Sequence, residues 1–132
     1  MSQAKILVID DDEGMTELLS LLLAPASSEI IIANSGSDGI ELVKKHDPDV
    51  IILDLMMPEM SGWTVCKDIR GFSSVPILIL SAMDSPGAVA QALDVGADDY
   101  LVKPVSSGTL IAHLNNLMRR RAKTLPVSSA LK

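Results

Sequence analysis

Val50-Ile51-Ile52-Leu53-Asp54 is the stretch on which the fold turns. Four aliphatic residues run without a polar break and stop at a carboxylate. A strand with one face in water alternates apolar and polar positions, whereas an unbroken run reads as a strand buried on both faces of a parallel sheet. Four further short apolar runs flank it: Lys5–Asp10 (KILVID), Glu29–Asn34 (EIIIAN), Val75–Leu80 (VPILIL) and Asp99–Val102 (DYLV). Between them the period changes to that of a helix. Met15, Leu18, Leu19, Leu22 and Leu23 form one amphipathic stripe, and Leu110, Ile111, Leu114, Leu117 and Met118 repeat its spacing.

Punctuation supports this division. Asp12 is placed to cap the first helix and Pro25 bars its continuation. Ser35 with Asp38 resembles a capping box, Ser61 can cap the third helix, and Ser85-Pro86 provides a cap followed by proline at the first helical position. The fourth helix, around Ala88–Asp94, is alanine-rich and expected to pack shallowly. Alternating β and α units with short joints predict an α/β fold, a parallel sheet covered by helices on both faces through right-handed crossovers.

Composition limits the function. The 132 residues suit one domain, and with only Trp63, Phe72 and Tyr100 as aromatics the core must be aliphatic. A net charge of −6 argues against direct nucleic-acid binding by this segment. Cys66 is the only cysteine, so no internal disulfide can form, and a buried inert thiol is the expectation. No run reaches the roughly 20 apolar residues of a membrane span. The N-terminus passes straight into the first run without a secretory signal, so a cytoplasmic protein is expected. The Arg119-Arg120-Arg121 cluster suits the negative end of the last helix dipole. Residues 1–122 are expected to form the domain, and 123–132 a disordered tail or the start of a linker.

In an open parallel sheet, ligands bind beyond the carboxyl ends of the strands. Here the first run ends in Asp10-Asp11-Asp12, the third in Asp54, the fourth at Ser81 and the fifth at Lys103-Pro104. Only the second, ending at Asn34, brings no charge or hydroxyl. Converging carboxylates repel unless neutralised, and Mg²⁺ with oxygen ligands neutralises them. A nucleophilic aspartate, a metal site, a lysine and a hydroxyl form a kit for phosphoryl transfer onto a carboxylate. Singly, each has an ordinary explanation: acidic triplets cap helices, and serine or Lys-Pro after a strand marks a turn. Their coincidence at the ends of four buried strands carries the inference.

From Lys5 to about Arg121 the chain resembles the receiver domains of two-component response regulators. The resemblance rests on ILVIDDDEGM (Ile6–Met15), VIILDLMMPEMSGW (Val50–Trp63), PILILSAMD (Pro76–Asp84) and GADDYLVKPV (Gly96–Val105). It implies a flavodoxin-like, doubly wound five-stranded parallel sheet of order 2-1-3-4-5 with five flanking helices. It implies Asp54 as acceptor of a phosphoryl group from a sensor histidine kinase or phosphotransfer protein. Asp10 and Asp11 would be the acidic pair holding Mg²⁺, with the backbone carbonyl of Met56 as a further ligand. Ser81 would be the switch hydroxyl, Lys103 the stabilising cation and Tyr100 the aromatic switch. A cis peptide is implied between Lys103 and Pro104. The family catalyses only its own phosphorylation and dephosphorylation, and its face of helix 4, strand 5 and helix 5 controls an output partner. GADDY and the arginine-ended last helix are similar to receivers that precede a winged-helix DNA-binding domain; whether an effector follows here is open.

Two other families share part of this pattern. A haloacid-dehalogenase-like phosphatase would use Asp10 as nucleophile with Asp12, but that family needs a further acidic motif after its lysine, nothing acidic follows Lys103 here, and Asp54 is left unexplained. A pseudo-receiver interaction module would lack an acidic, acceptor or lysine position, all of which are present. Two further expectations follow from the resemblance. Met56 and Met83 stand where the family controls water access, so self-dephosphorylation should be slow. Gln91, Thr109, His113 and Asn115 replace charged partners of the subgroup's dimer face, while Asp98 and Asp99 remain. Unpaired, these acids would repel their own copies, so a monomer or weak dimer is expected.

Overall fold

A computed structural model describes residues 4–27 and 29–124. Five strands alternate with five helices: β1 (Lys5–Ile9), α1 (Glu13–Leu23), β2 (Glu29–Ala33), α2 (Gly36–His46), β3 (Val50–Leu53), α3 (Gly62–Arg70), β4 (Ile77–Ser81), α4 (Pro86–Asp94), β5 (Asp99–Val102) and α5 (Ser107–Thr124). All strands are parallel, in the order β2-β1-β3-β4-β5. The sequence reversal between β1 and β3 leaves a crevice at their carboxyl ends.

The unbroken apolar runs divide between two cores, because successive side chains of a strand point to opposite faces. Leu7, Ile9, Ile51, Leu53, Ile77 and Ile79 meet Val43 of α2, Val65, Cys66 and Ile69 of α3, and Ala92 of α4. Ile6, Val8, Val50, Ile52, Leu78 and Leu80 meet Leu19 and Leu23 of α1 and Leu110, Leu114 and Leu117 of α5. Each fully buried aliphatic side chain contributes about 1.5–3 kcal/mol, so this aliphatic sandwich needs no aromatic centre. Burial also pushes the Cys66 thiol up to about 11, as an inert thiol requires.

Helix starts follow the sequence. Asp12, Ser35, Ser61 and Ser85 each accept a hydrogen bond from the backbone N–H three residues on. Pro25 leaves only a single 3-10 turn, Ala24–Ala26, after α1. α4 shows only Ala88 and Ala92 to the core, the shallow packing expected.

Five details differ from the sequence reading. Strands β1, β2 and β3 stop one residue before Asp10, Asn34 and Asp54. The backbones of Asp10 and Asp54 stay pinned nevertheless, donating to Ala33 (3.1 Å) and Ile9 (3.0 Å). β4 begins at Ile77, after the N–H-less Pro76, and includes Ser81. In α1 the buried line is Thr16, Leu19 and Leu23, while Leu18 and Leu22 are exposed. Thr16 can turn inward because its hydroxyl donates to the Glu13 carbonyl and accepts from Asn34. Arg121, expected at the dipole end, instead donates to the Pro48 carbonyl at 3.0 Å and lies 3.8 Å from Asp47. α5 runs through Thr124, past the boundary expected at 122; the remainder of the expected tail, 125–132, lies outside the described residues.

Candidate functional site

β1 and β3 are neighbours in register, so Asp10 and Asp54 leave the sheet side by side. Carboxylate oxygens of Asp10, Asp11 and Asp54 all lie within 4.8 Å of one another. Asp10 and Asp54 are buried, at 3% and 6% exposure, and Asp11 faces solvent. Lys103 reaches in from beyond β5, its Nζ 3.0 Å from Asp10 Oδ2 and 3.9 Å from Asp54 Oδ1. Its peptide bond to Pro104 is cis, as the resemblance implied.

One lysine cannot balance three carboxylates. Burial, and then the charge of Asp10, raise the Asp54 carboxyl above its ordinary range; Lys103 and the backbone N–H groups of Met56 and Leu55 oppose the rise. Desolvation with residual like-charge repulsion marks a place for a further cation. The donor set is all oxygen, which suits a hard divalent ion such as Mg²⁺.

At the other side of the pocket, Ser81 is fully buried and its Oγ accepts from the Met83 N–H at 3.3 Å. The Tyr100 hydroxyl donates to the Met83 carbonyl at 2.7 Å. Burial pushes this phenol up, with Asp54 and Asp84 adding to the rise. Ser81, Met83 and Tyr100 therefore form one connected unit beside the acceptor. Met56, two residues past Asp54, is 57% exposed.

The profile of the response regulator receiver domain matches residues 6–115. The chain belongs to the response-regulator receiver family. Among relatives of this receiver, the probable transcriptional regulator ycf27 of Porphyridium aerugineum is 38% identical over 120 residues, 91% of this chain and 50% of the relative. The transcriptional regulatory protein AfsQ1 of Streptomyces coelicolor is 38% identical over 115 residues, 87% of this chain and 51% of the relative. The receiver thus spans about half the length of the curated relatives it matches. Among solved structures, the Francisella response regulator 1452 receiver domain superposes with a TM-score of 0.84 at 33% identity, covering 90% of this chain and 99% of that one. A receiver domain protein from Clostridium thermocellum gives 0.87 at 30% identity, covering 92% and 99%. The receiver is accordingly a module of two-component signalling, and no helix among its described residues is long and apolar enough to cross a membrane.

Every predicted site residue of the receiver reaches this rim or its edge. Asp12 does not join the carboxylate cluster; it caps α1, which removes the Asp10–Asp12 pair that the phosphatase reading needed. Asn34, set aside in the sequence, does contribute. Its Nδ2 donates to the Asp10 carbonyl at 2.8 Å and to Thr16 Oγ1 at 3.2 Å, fixing the loop that carries Asp10 and Asp11. Gly62 was also missed: a Cβ there would stand 2.2 Å from the Asp54 carbonyl oxygen, so the loop after β3 closes only over glycine. Nothing in periodicity signals either residue, since both act on another segment's backbone.

Away from the rim, Asp98 and Asp99 are not unpaired as expected. Asp98 Oδ2 accepts from Arg70 at 2.7 Å and from the Ile77 N–H at 2.8 Å. Asp99 Oδ2 lies 2.6 Å from His113 Nδ1. Of the other replaced positions, Thr109 is engaged by Ser106 at the start of α5, and Gln91 and Asn115 are exposed.

Proposed function

We propose that Asp54 is the phosphoacceptor of a Mg²⁺-dependent receiver, taking its phosphoryl group from a histidine kinase or phosphotransfer protein. The observation that carries the reading is a buried carboxylate at the end of the central strand, between an acidic pair and Lys103. In the transfer, Asp54 Oδ attacks phosphorus, an O–P bond forms, and the donor's P–N bond breaks with its electrons leaving on nitrogen. Asp54 attacks as the carboxylate, which Lys103 and the Met56 and Leu55 N–H groups favour. Asp10, Asp11, Asp54 and the Met56 carbonyl would hold Mg²⁺, which when bound neutralises charge on the phosphoryl oxygens. Lys103 can move its contact from Asp10 toward a phosphoryl oxygen, since it already lies between the two carboxylates.

Ser81 is the hydroxyl within reach of the new group, and Tyr100 follows it because both bond to Met83. The α4–β5–α5 face would pass that rearrangement to an output partner in the cytoplasm. Residues 1–122 constitute the signalling unit in this reading, which promotes only its own phosphorylation and dephosphorylation. The test is incubation with a small phosphodonor and Mg²⁺, with the label mapped by mass spectrometry. The expected result is one acyl phosphate on Asp54, lost in Asp54→Asn. Undiminished labelling of Asp54→Asn would falsify the reading.

A further inference from the structure

We propose that Trp63 is a positioning residue of the switch: its indole N–H, which has no acceptor in the unphosphorylated chain, bonds to the β4–α4 turn when Asp54 carries a phosphoryl group. The coupling rests on the acceptor role proposed above; the unpaired N–H does not.

Trp63 is the only tryptophan of the chain, and its ring is partly buried against the core under α2, α3 and α4. Its Nε1 is buried and has no hydrogen-bond partner. Buried donors are nearly always paired, because one left without an acceptor has lost its bonds to water and made none in their place. The place of the ring on α3 shows which neighbour it faces. Residues three and seven apart share one side of a helix. Three residues on, Cys66 Sγ lies 3.7 Å from the Val95 carbonyl; seven residues on, Arg70 Nε donates to the Gly96 carbonyl at 2.9 Å. Trp63 therefore stands on the side of α3 that faces α4, about 10 Å along the helix axis from Arg70. Both helices run back against the direction of the strands, so that distance brings the ring level with the first turn of α4.

That end of α4 is lightly held. Ser85, Pro86 and Gly87 are exposed, and Ala88 is the one buried residue of the first turn. The preceding turn, Ala82–Ser85, is tied to the acceptor site. The Met83 N–H donates to Ser81 Oγ at 3.3 Å, and the Met83 carbonyl accepts from Tyr100 at 2.7 Å. When the Ser81 hydroxyl turns to the phosphoryl group it gives up the Met83 N–H, and the turn moves with it. A carbonyl oxygen has two lone pairs, so the Met83 carbonyl can accept from an indole and keep Tyr100 as well. A ligand shifts an equilibrium only by what differs between the two states. Here the difference is one hydrogen bond, made with the phosphoryl group in place and missing without it.

The experiment uses the purified chain with Mg²⁺ and beryllofluoride, a mimic of the acyl phosphate. The lone indole N–H gives one proton resonance, whose chemical shift and solvent exchange report its hydrogen bonding. Beryllofluoride should move that resonance downfield and slow its exchange. Benzothienylalanine in place of Trp63 keeps the shape of the ring and removes the N–H. Without beryllofluoride this chain should melt at the parent temperature or above, since no bond is lost. It should bind beryllofluoride several-fold more weakly, the loss of one hydrogen bond. An indole proton already downfield in the free chain, or an analogue that melts well below the parent, would overturn the unpaired donor. A resonance that stays in place with beryllofluoride bound, or an analogue that binds it as tightly as the parent, would overturn the coupling. A chain that takes up neither beryllofluoride nor a phosphoryl group from acetyl phosphate would overturn the acceptor reading and the coupling with it, while the free chain's indole resonance would still decide the donor.

Discussion

The side-chain amide of Asn34 donates to the main-chain carbonyl of Asp10 at 2.8 Å, tying the end of β2 to the loop that bears the acidic pair. The same nitrogen lies 3.2 Å from the hydroxyl of buried Thr16, so one residue holds both sides of the β1–α1 turn. Removing it leaves a partly buried carbonyl without this donor, at a cost of about 1–2 kcal/mol. Asn34→Ala should therefore fold but bind Mg²⁺ several-fold more weakly, as read by titration calorimetry. Unchanged affinity would mean that the loop keeps its shape without the amide.

Asp54 carries a stability consequence of known sign. Its carboxyl is raised in the folded state, first by burial and then by Asp10, so the folded chain binds a proton more tightly than the unfolded one. Stability associated with this group is present at acid pH and lost as pH rises through the raised value. Asp54→Asn should accordingly melt at a higher temperature than the parent at neutral pH without metal. The gap should close on acidification toward the ordinary carboxylate range. Saturating Mg²⁺ should stabilise the parent more than the variant. Thermal scans across pH, with and without Mg²⁺, decide this; a variant less stable than the parent at neutral pH refutes the sign.

Gly62→Ala tests the closure behind the acceptor. The new Cβ would lie 2.2 Å from the Asp54 carbonyl oxygen and 2.7 Å from Leu55 Cα, both backbone, so the loop itself must move. That movement also strains the Gly62 N–H bond to the Leu55 carbonyl, now 2.9 Å. A loss of about 1–3 kcal/mol in urea unfolding is expected, typical of overpacking, together with slower labelling of Asp54. Parent-like stability and labelling would show the loop to be more yielding than its contacts imply.

Much of this could be read in the amino-acid order, for physical reasons. Strands buried on both faces must be continuously apolar, so VIIL and ILVI announce themselves, and the charged residue that ends each run lies at the rim. Caps such as Asp12 and Ser61 are equally legible because their bonds are local. What stayed hidden acts across long separations: Asn34 on Asp10, Gly62 on Asp54, Arg70 on Asp98. Leu18 and Leu22 misled because periodicity gives the width of an apolar stripe and leaves open which edge of it meets the sheet.

The lifetime of the phosphoryl group should depend on Met56 and Met83. Their backbones are bonded to Asp54 and to Ser81 and Tyr100, so substitutions change the side chains at fixed roots. The paired change Met56→Asn and Met83→Glu introduces groups that orient water, and self-dephosphorylation should quicken several-fold. Equal or slower loss in the double variant would refute the shielding role.

Assembly is expected to be weak, for a reason other than repulsion. Asp98 is held by Arg70 and Asp99 by His113 within one chain, so neither is available to a partner's cation. Sedimentation at neutral pH, with and without a beryllofluoride mimic at Asp54, should report a monomer or a weak dimer. A tight dimer disrupted by substitution of Gln91 or His113 would show that this face pairs without the usual charges.

The uneven attachment of α4 has a mechanical consequence. Beyond its C-terminal end, the Gly96 carbonyl accepts from Arg70 at 2.9 Å and the Val95 carbonyl faces the Cys66 thiol. At its other end a Cβ added at Gly87 would meet no other segment within 4 Å, and Pro86 is exposed. Such a rod has a fulcrum at Gly96 and, beside the Ser81–Met83 turn, a tip that reaches the core through Ala88 alone. Nine residues of helix span about 13 Å, so a tilt of about 10° would carry the tip roughly 2 Å while the pivot stays still. Leverage of this kind lets a displacement no larger than a side-chain rotation redraw the outline of one face and leave the opposite end of the domain unchanged.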